Sequence, residues 1–121
     1  MELIQANSID ESDPIWASLK GEAAKSVMKF KIGAAIVKRG RLLCVGHNSK
    51  KTHPKFGSKE NFKTLHAEGD ALYSCKKLGI DPKGSTMIIY RKNGLNSRPC
   101  PSCERLIKKA GIAKVIYTNE I

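Results

Sequence analysis

The sequence predicts an α/β fold, a three-layer α/β/α sandwich around a mixed sheet of about four strands in the order α-β-β-α-β-α-β. Three observations carry this prediction. Short apolar runs alternate with stretches whose apolar residues recur every three or four positions. The first two runs flank a basic turn, Lys38-Arg39-Gly40-Arg41, as the arms of a hairpin would. The chain has 121 residues, enough for one domain with its own core, so residues 1–121 are read as a single domain.

Asp13-Pro14 opens the first helix, with Asp13 as cap and Pro14 suited to the first turn. Trp16, Leu19, Ala23, Val27 and Phe30 then form one apolar stripe. Ala34–Val37 and Leu42–Val45 are the hairpin strands. Residues 48–64 are polar, contain Pro54 and Gly57, lack periodicity, and are assigned as a loop. A second helix is expected from near His66 to Gly79, with Ala67, Ala71, Leu72, Cys75 and Leu78 facing inward. Thr86–Tyr90 is a strand, Pro101 or Ser102 to Ala110 a helix stopped by Gly111, and Lys114–Thr118 the last strand.

At 40% hydrophobic and 27% charged residues, the composition is that of an ordinary globular protein. No apolar run approaches the ~20 residues of a membrane span, so no membrane partner is expected. The start, Met1-Glu2-Leu3-Ile4-Gln5, has neither the basic nor the apolar part of a secretion signal. A cytoplasmic location follows as the expectation, in which the four cysteines stay thiols or metal ligands. The net charge of +11 is uneven: residues 1–14 carry only acids, whereas Lys38 to Lys63 carries eight bases (Lys38, Arg39, Arg41, Lys50, Lys51, Lys55, Lys59, Lys63) against Glu60. Such a stretch attracts anions, either nucleotide phosphates or a nucleic-acid backbone.

The chemistry concentrates in His66-Ala67-Glu68 and Pro99-Cys100-Pro101-Ser102-Cys103. Each segment opens a helix, where the positive helix end favours the thiolates that Zn²⁺ needs. His66, Cys100 and Cys103 are three ligands, which leaves a fourth tetrahedral position for water, as in catalytic rather than structural sites. In the first turn of its helix, Glu68 can converge on the same space without ligating the metal, and there it can shuttle protons. A structural site would want a fourth ligand, and His47, His53, Cys44 and Cys75 lack the paired spacing; Cys44 and Cys75 read instead as core residues. A redox Cys-x-x-Cys would leave His66 and Glu68 unexplained.

At these residues, followed by Gly111-Ile112-Ala113-Lys114-Val115-Ile116-Tyr117, the chain resembles the zinc-dependent cytidine/deoxycytidylate deaminase superfamily, whose signature is H-x-E with P-C-x-x-C. The likeness runs from the first helix to the last strand and looks strongest to small, phage-like deoxycytidylate-type deaminases. It implies a cytidine-deaminase-like fold, Zn²⁺ as cofactor, and hydrolytic deamination of a cytosine nucleotide, dCMP to dUMP, with release of ammonia. By position it implies that Asn48 binds the sugar hydroxyl, that the backbone of Ala67 contacts the base carbonyl, and that the carbonyl of Arg98 accepts from the amine. Arg98, Lys51, His53 and Lys55 are candidate phosphate contacts.

Relative to the family, the chain lacks a C-terminal extension, ending just after the predicted fourth strand. That would leave a sheet edge in need of cover, and a homo-oligomer is the expected remedy. Gly46-His47-Asn48-Ser49 lacks the second glycine of allosterically regulated members. The competing reading is a deaminase acting on cytosine or adenine in single-stranded DNA or RNA. Charge favours it. Against it, only 6% of residues are aromatic, whereas single-strand binders stack bases on aromatic platforms.

Overall fold

The computed structural model describes residues 1–49 and 66–120. Five strands and three α-helices are present among them: β1 (Glu2–Gln5), α1 (Pro14–Ala24), β2 (Ile32–Lys38), β3 (Arg41–His47), α2 (Ala67–Leu78), β4 (Thr86–Arg91), α3 (Pro101–Lys109) and β5 (Lys114–Tyr117). The sheet runs β1-β5-β4-β2-β3. β2 pairs antiparallel with both β3 and β4, whereas β5 pairs parallel with β4 and with β1. The sheet is therefore mixed, as expected.

Alternation along the strands divides the core in two. On one face Ala34, Ile36, Met87, Ile89 and Val115 pack beneath α2 and α3, with Ala71, Leu72 and Ile107 opposite them. On the other face Ala35, Val37 and Tyr90 receive Trp16, Leu19 and Ala23 of α1. These are the three layers. The hairpin closes as predicted, with Arg39 (φ 53°) and Gly40 (φ 73°) supplying the two left-handed positions of its tip.

Four expectations need correction. The sheet has five strands rather than about four, because Glu2–Gln5 lies parallel to β5 and covers the edge that was expected to be open. The apolar stripe of α1 ends at Ala23: Val27 and Phe30 are 74% and 52% exposed. The helix stops at Ala24, and Ser26 Oγ then accepts from the Met28 N–H at 3.1 Å, diverting the backbone from further helical bonding. Leu78, in the last turn of α2, is exposed rather than packed. Finally, Cys44 and Cys75 are buried as expected but joined in a disulfide, with 5.8 Å between their Cα atoms. The packing of α2 on β3 brings them together, and no local pattern records that. No helix among the described residues is long and apolar enough to cross a membrane.

A candidate zinc and proton-transfer site

His66 and Cys100 occupy the same position on different helices: each is the extended N-cap residue, of α2 and α3 respectively. Pro101 supplies the preset φ of the first turn of α3, and Cys103 follows two positions later, turned inward and fully buried. This brings His66 Nδ1 to 3.1 Å from Cys103 Sγ and 3.7 Å from Cys100 Sγ. All three ligand atoms lie within 4.8 Å of one another. One nitrogen and two sulfurs form a borderline-soft donor set, suited to Zn²⁺.

Glu68, 5% exposed, stands beside this group. Burial raises its carboxyl above the ordinary range, opposed by its backbone N–H, by the nearby His66 and by hydrogen bonding with Cys103. The Cys103 thiol is pushed strongly upward, first by burial and then by the charges of Glu68 and Cys100. Burial thus disfavours the charged forms of both Glu68 and Cys103, and the nitrogen and sulfur donors present fit a divalent metal.

β3 fixes where α2 begins. A Cβ on Gly46 would stand 2.3 Å from the Ala71 nitrogen and 2.8 Å from the Ala67 carbonyl oxygen, so only glycine permits this approach. The next residue, His47, donates its backbone N–H to Asp70 Oδ2 at 3.0 Å, tying the first turn of α2 to the strand. The His47 ring turns to Glu22 of α1, 3.3 Å away.

α3 is seated differently. Between β4 and Pro99 the chain makes an excursion held by two hydroxyls. Ser97 Oγ donates to the Ile89 carbonyl at 2.9 Å and accepts from the Thr118 N–H at 2.8 Å. Thr118 Oγ1 donates to the Leu95 carbonyl at 2.7 Å and accepts from the Arg91 N–H at 3.2 Å.

A cleft of about 380 Å³ opens onto the group, lined in part by Asn48, His66, Ala67, Glu68, Arg98 and Cys100. The sequence-predicted residues that the structure describes are thus gathered in one place. Lys51, His53 and Lys55, with most of the predicted loop, lie outside the described residues. Asn48 is 8% exposed, and its side chain already bonds the Ile32 N–H (3.0 Å) and the Phe30 carbonyl. It pins the entry of β2 and retains one lone pair and one N–H toward the cleft. Lys38, Arg39 and Arg41, grouped in the sequence with that loop, sit at the other end of β2, roughly 20 Å away at ~3.3 Å per residue.

Sequence reasoning missed Gly46 as a packing position, Asp70, Ser97 and two further cleft residues, Phe30 and Arg91. Glycine inside a strand was the available signal for Gly46. Phe30 had been absorbed into a helical stripe, and nothing local marked Arg91.

The profile of the family described as the cytidine and deoxycytidylate deaminase zinc-binding region matches residues 15–119. ComE operon protein 2 of Bacillus subtilis (strain 168) is 26% identical over 100 residues, 76% of this chain and 50% of that protein, so the chain spans about half the length of this relative. Among solved structures, dCMP deaminase from the cyanophage S-TIM5 in apo form is 32% identical with a TM-score of 0.68, covering 85% of this chain and 78% of that one. The same phage enzyme in complex with dCMP and dUMP is 25% identical with a TM-score of 0.60, covering 90% and 86%. Cytidine deaminase from Burkholderia pseudomallei, 22% identical with a TM-score of 0.64 over 85% of this chain and 80% of that one, shares the fold. Profile, fold and the His–Cys–Cys group agree: the chain belongs to the cytidine and deoxycytidylate deaminase family, a family of zinc-dependent hydrolytic deaminases.

Proposed function

We propose that this chain hydrolytically deaminates a cytosine nucleotide, dCMP to dUMP, releasing ammonia. One observation carries the reading: a buried carboxylate, Glu68, shares a cleft with a metal-capable trio without belonging to it. The likeness to a phage dCMP deaminase supports the choice of nucleotide.

His66 Nδ1 and the sulfurs of Cys100 and Cys103 would hold Zn²⁺. When bound, the metal supplies the Lewis acidity that makes water a nucleophile near neutral pH. Glu68 takes the proton from the attacking water, delivers it to the pyrimidine ring nitrogen beside the attacked carbon, and then helps protonate the departing amine. The Ala67 N–H would orient the base through its carbonyl, the Arg98 carbonyl would accept from the amine, and the remaining polar valences of Asn48 would take the sugar hydroxyl.

The test is to incubate the zinc-loaded protein with dCMP and follow ammonia and dUMP. Turnover at one zinc per chain is expected. Zinc-replete protein that releases no ammonia from dCMP overturns the substrate assignment.

A further inference from the structure

The mouth of the cleft carries two guanidinium groups that the reaction scheme does not use. Arg91 closes β4 directly opposite Ile32, and its guanidinium carbon lies 4.3 Å from the centroid of the Phe30 ring. Its Nη1 donates to the Asn96 carbonyl at 3.3 Å. Arg98 lies over the ring of Tyr117, 5.7 Å from its centroid, and donates to the Tyr117 hydroxyl at 3.3 Å. Both side chains line the same cleft as Glu68. Among the described residues, neither guanidinium is within ion-pair distance of a carboxylate.

Phe30 makes the arrangement more specific. Its ring stands at the cleft mouth, 52% exposed with the Arg91 guanidinium against it. Asn48 fixes the backbone that carries it, by accepting from the Ile32 N–H and donating to the Phe30 carbonyl. A guanidinium stacked on an aromatic face keeps its in-plane N–H donors available and gives up rotamer freedom before any ligand arrives. Two such groups, braced on different rings, match the several acceptor oxygens of a phosphomonoester dianion.

We propose that Arg91, braced on Phe30 and acting with Arg98, is the specificity-determining residue that takes the 5′-phosphate of the substrate, so that the cleft selects a mononucleotide over the corresponding nucleoside. This rests on the deaminase reading and adds a residue and a discrimination to it. The phosphate meets N–H donors, no bond is made or broken there, and Arg91 determines which cytosine compounds reach Glu68.

The experiment compares kcat/KM for dCMP and for deoxycytidine in the zinc-loaded wild type, Arg91→Gln, Arg91→Lys and Arg41→Gln, the last as a control for charge at the far end of the sheet. Removing a charge-assisted bond of this kind is worth roughly tenfold to a hundredfold. The dCMP/deoxycytidine ratio should fall by about that factor in Arg91→Gln, mainly through KM. It should fall less in Arg91→Lys and stay at the wild-type value in Arg41→Gln. A ratio preserved in Arg91→Gln, with both substrates slowed alike, makes Arg91 a structural brace and overturns the proposal. Direct binding of dUMP and of deoxyuridine by calorimetry reads the same discrimination without turnover, so a wild type that deaminates neither substrate refutes the reaction alone. Equal affinity for dUMP and deoxyuridine refutes the phosphate site. A cytosine-containing oligonucleotide without a terminal phosphate that is processed in preference to dCMP overturns the monoester assignment.

Discussion

The N-terminal turns of α2 and α3 make an instructive pair. Both begin with a metal-capable side chain at the cap, His66 in one and Cys100 in the other, and neither cap residue bonds its helix through its side chain. They diverge within the first turn. The second helical position of α2 holds Glu68, where α3 has Ser102; the third holds Gly69, where α3 has Cys103. α2 thus contributes one metal-capable residue and the proposed proton carrier, whereas α3 contributes two metal-capable residues. Their mountings differ too: backbone pressed on backbone at Gly46 for α2, and a pair of hydroxyls at Ser97 and Thr118 for α3. Similar local geometry therefore serves two chemical tasks, held by contacts of different tolerance.

The sharpest way to separate the two tasks is Glu68→Gln. It keeps the volume and removes the transferable proton, so kcat should fall by about 10²–10⁴ while metal content stays at the wild-type value; rate assay and elemental analysis of one preparation decide it. Loss of metal with the rate would assign Glu68 to the donor set.

The mounting of α2 should be the less forgiving. Gly46→Ala drives a methyl into the backbone of Ala67 and Ala71, and a loss of about 3 kcal/mol in chemical denaturation is expected. A variant as stable as wild type would show that α2 can slide. Ser97→Ala, on the α3 side, removes the shorter of the two bonds from the buried Thr118 N–H, which keeps the Ile89 carbonyl at 3.1 Å, together with the hydroxyl's own bond to that carbonyl, and should cost about 1–2 kcal/mol by the same measurement. Were Ser97→Ala the more damaging of the two, the ranking of the mountings would be reversed. Smallest is Asp70→Asn, which keeps an oxygen for the His47 N–H and should change stability by less than about 1 kcal/mol.

What the sequence made legible follows from what is local. Helix starts are written in a few adjacent residues, and so was the convergence of His66, Glu68, Cys100 and Cys103 on two N-termini. The hairpin around Gly40 is of the same kind. The pairing of β1 with β5 is not: four residues with two apolar side chains carry no usable periodicity, and their partner is more than a hundred positions away. The same distance effect hid the sulfur bridge, since Cys44 and Cys75 each suited the core of its own element. Phe30 shows a different failure. Its three-residue spacing from Val27 was real, but Ser26 had already taken the backbone out of the helix, so a ring read as core filler stands at the cleft mouth.

The bridge between Cys44 and Cys75 spans a sequence separation of 31 and encloses Gly46, Asn48, His66, Glu68 and Asp70. One of the three metal-capable residues and the proposed proton carrier therefore ride on a covalently closed circle of chain. In the denatured state that circle remains tied, which trims the disorder this segment regains on unfolding. A nick within the circle would open it without setting either piece adrift.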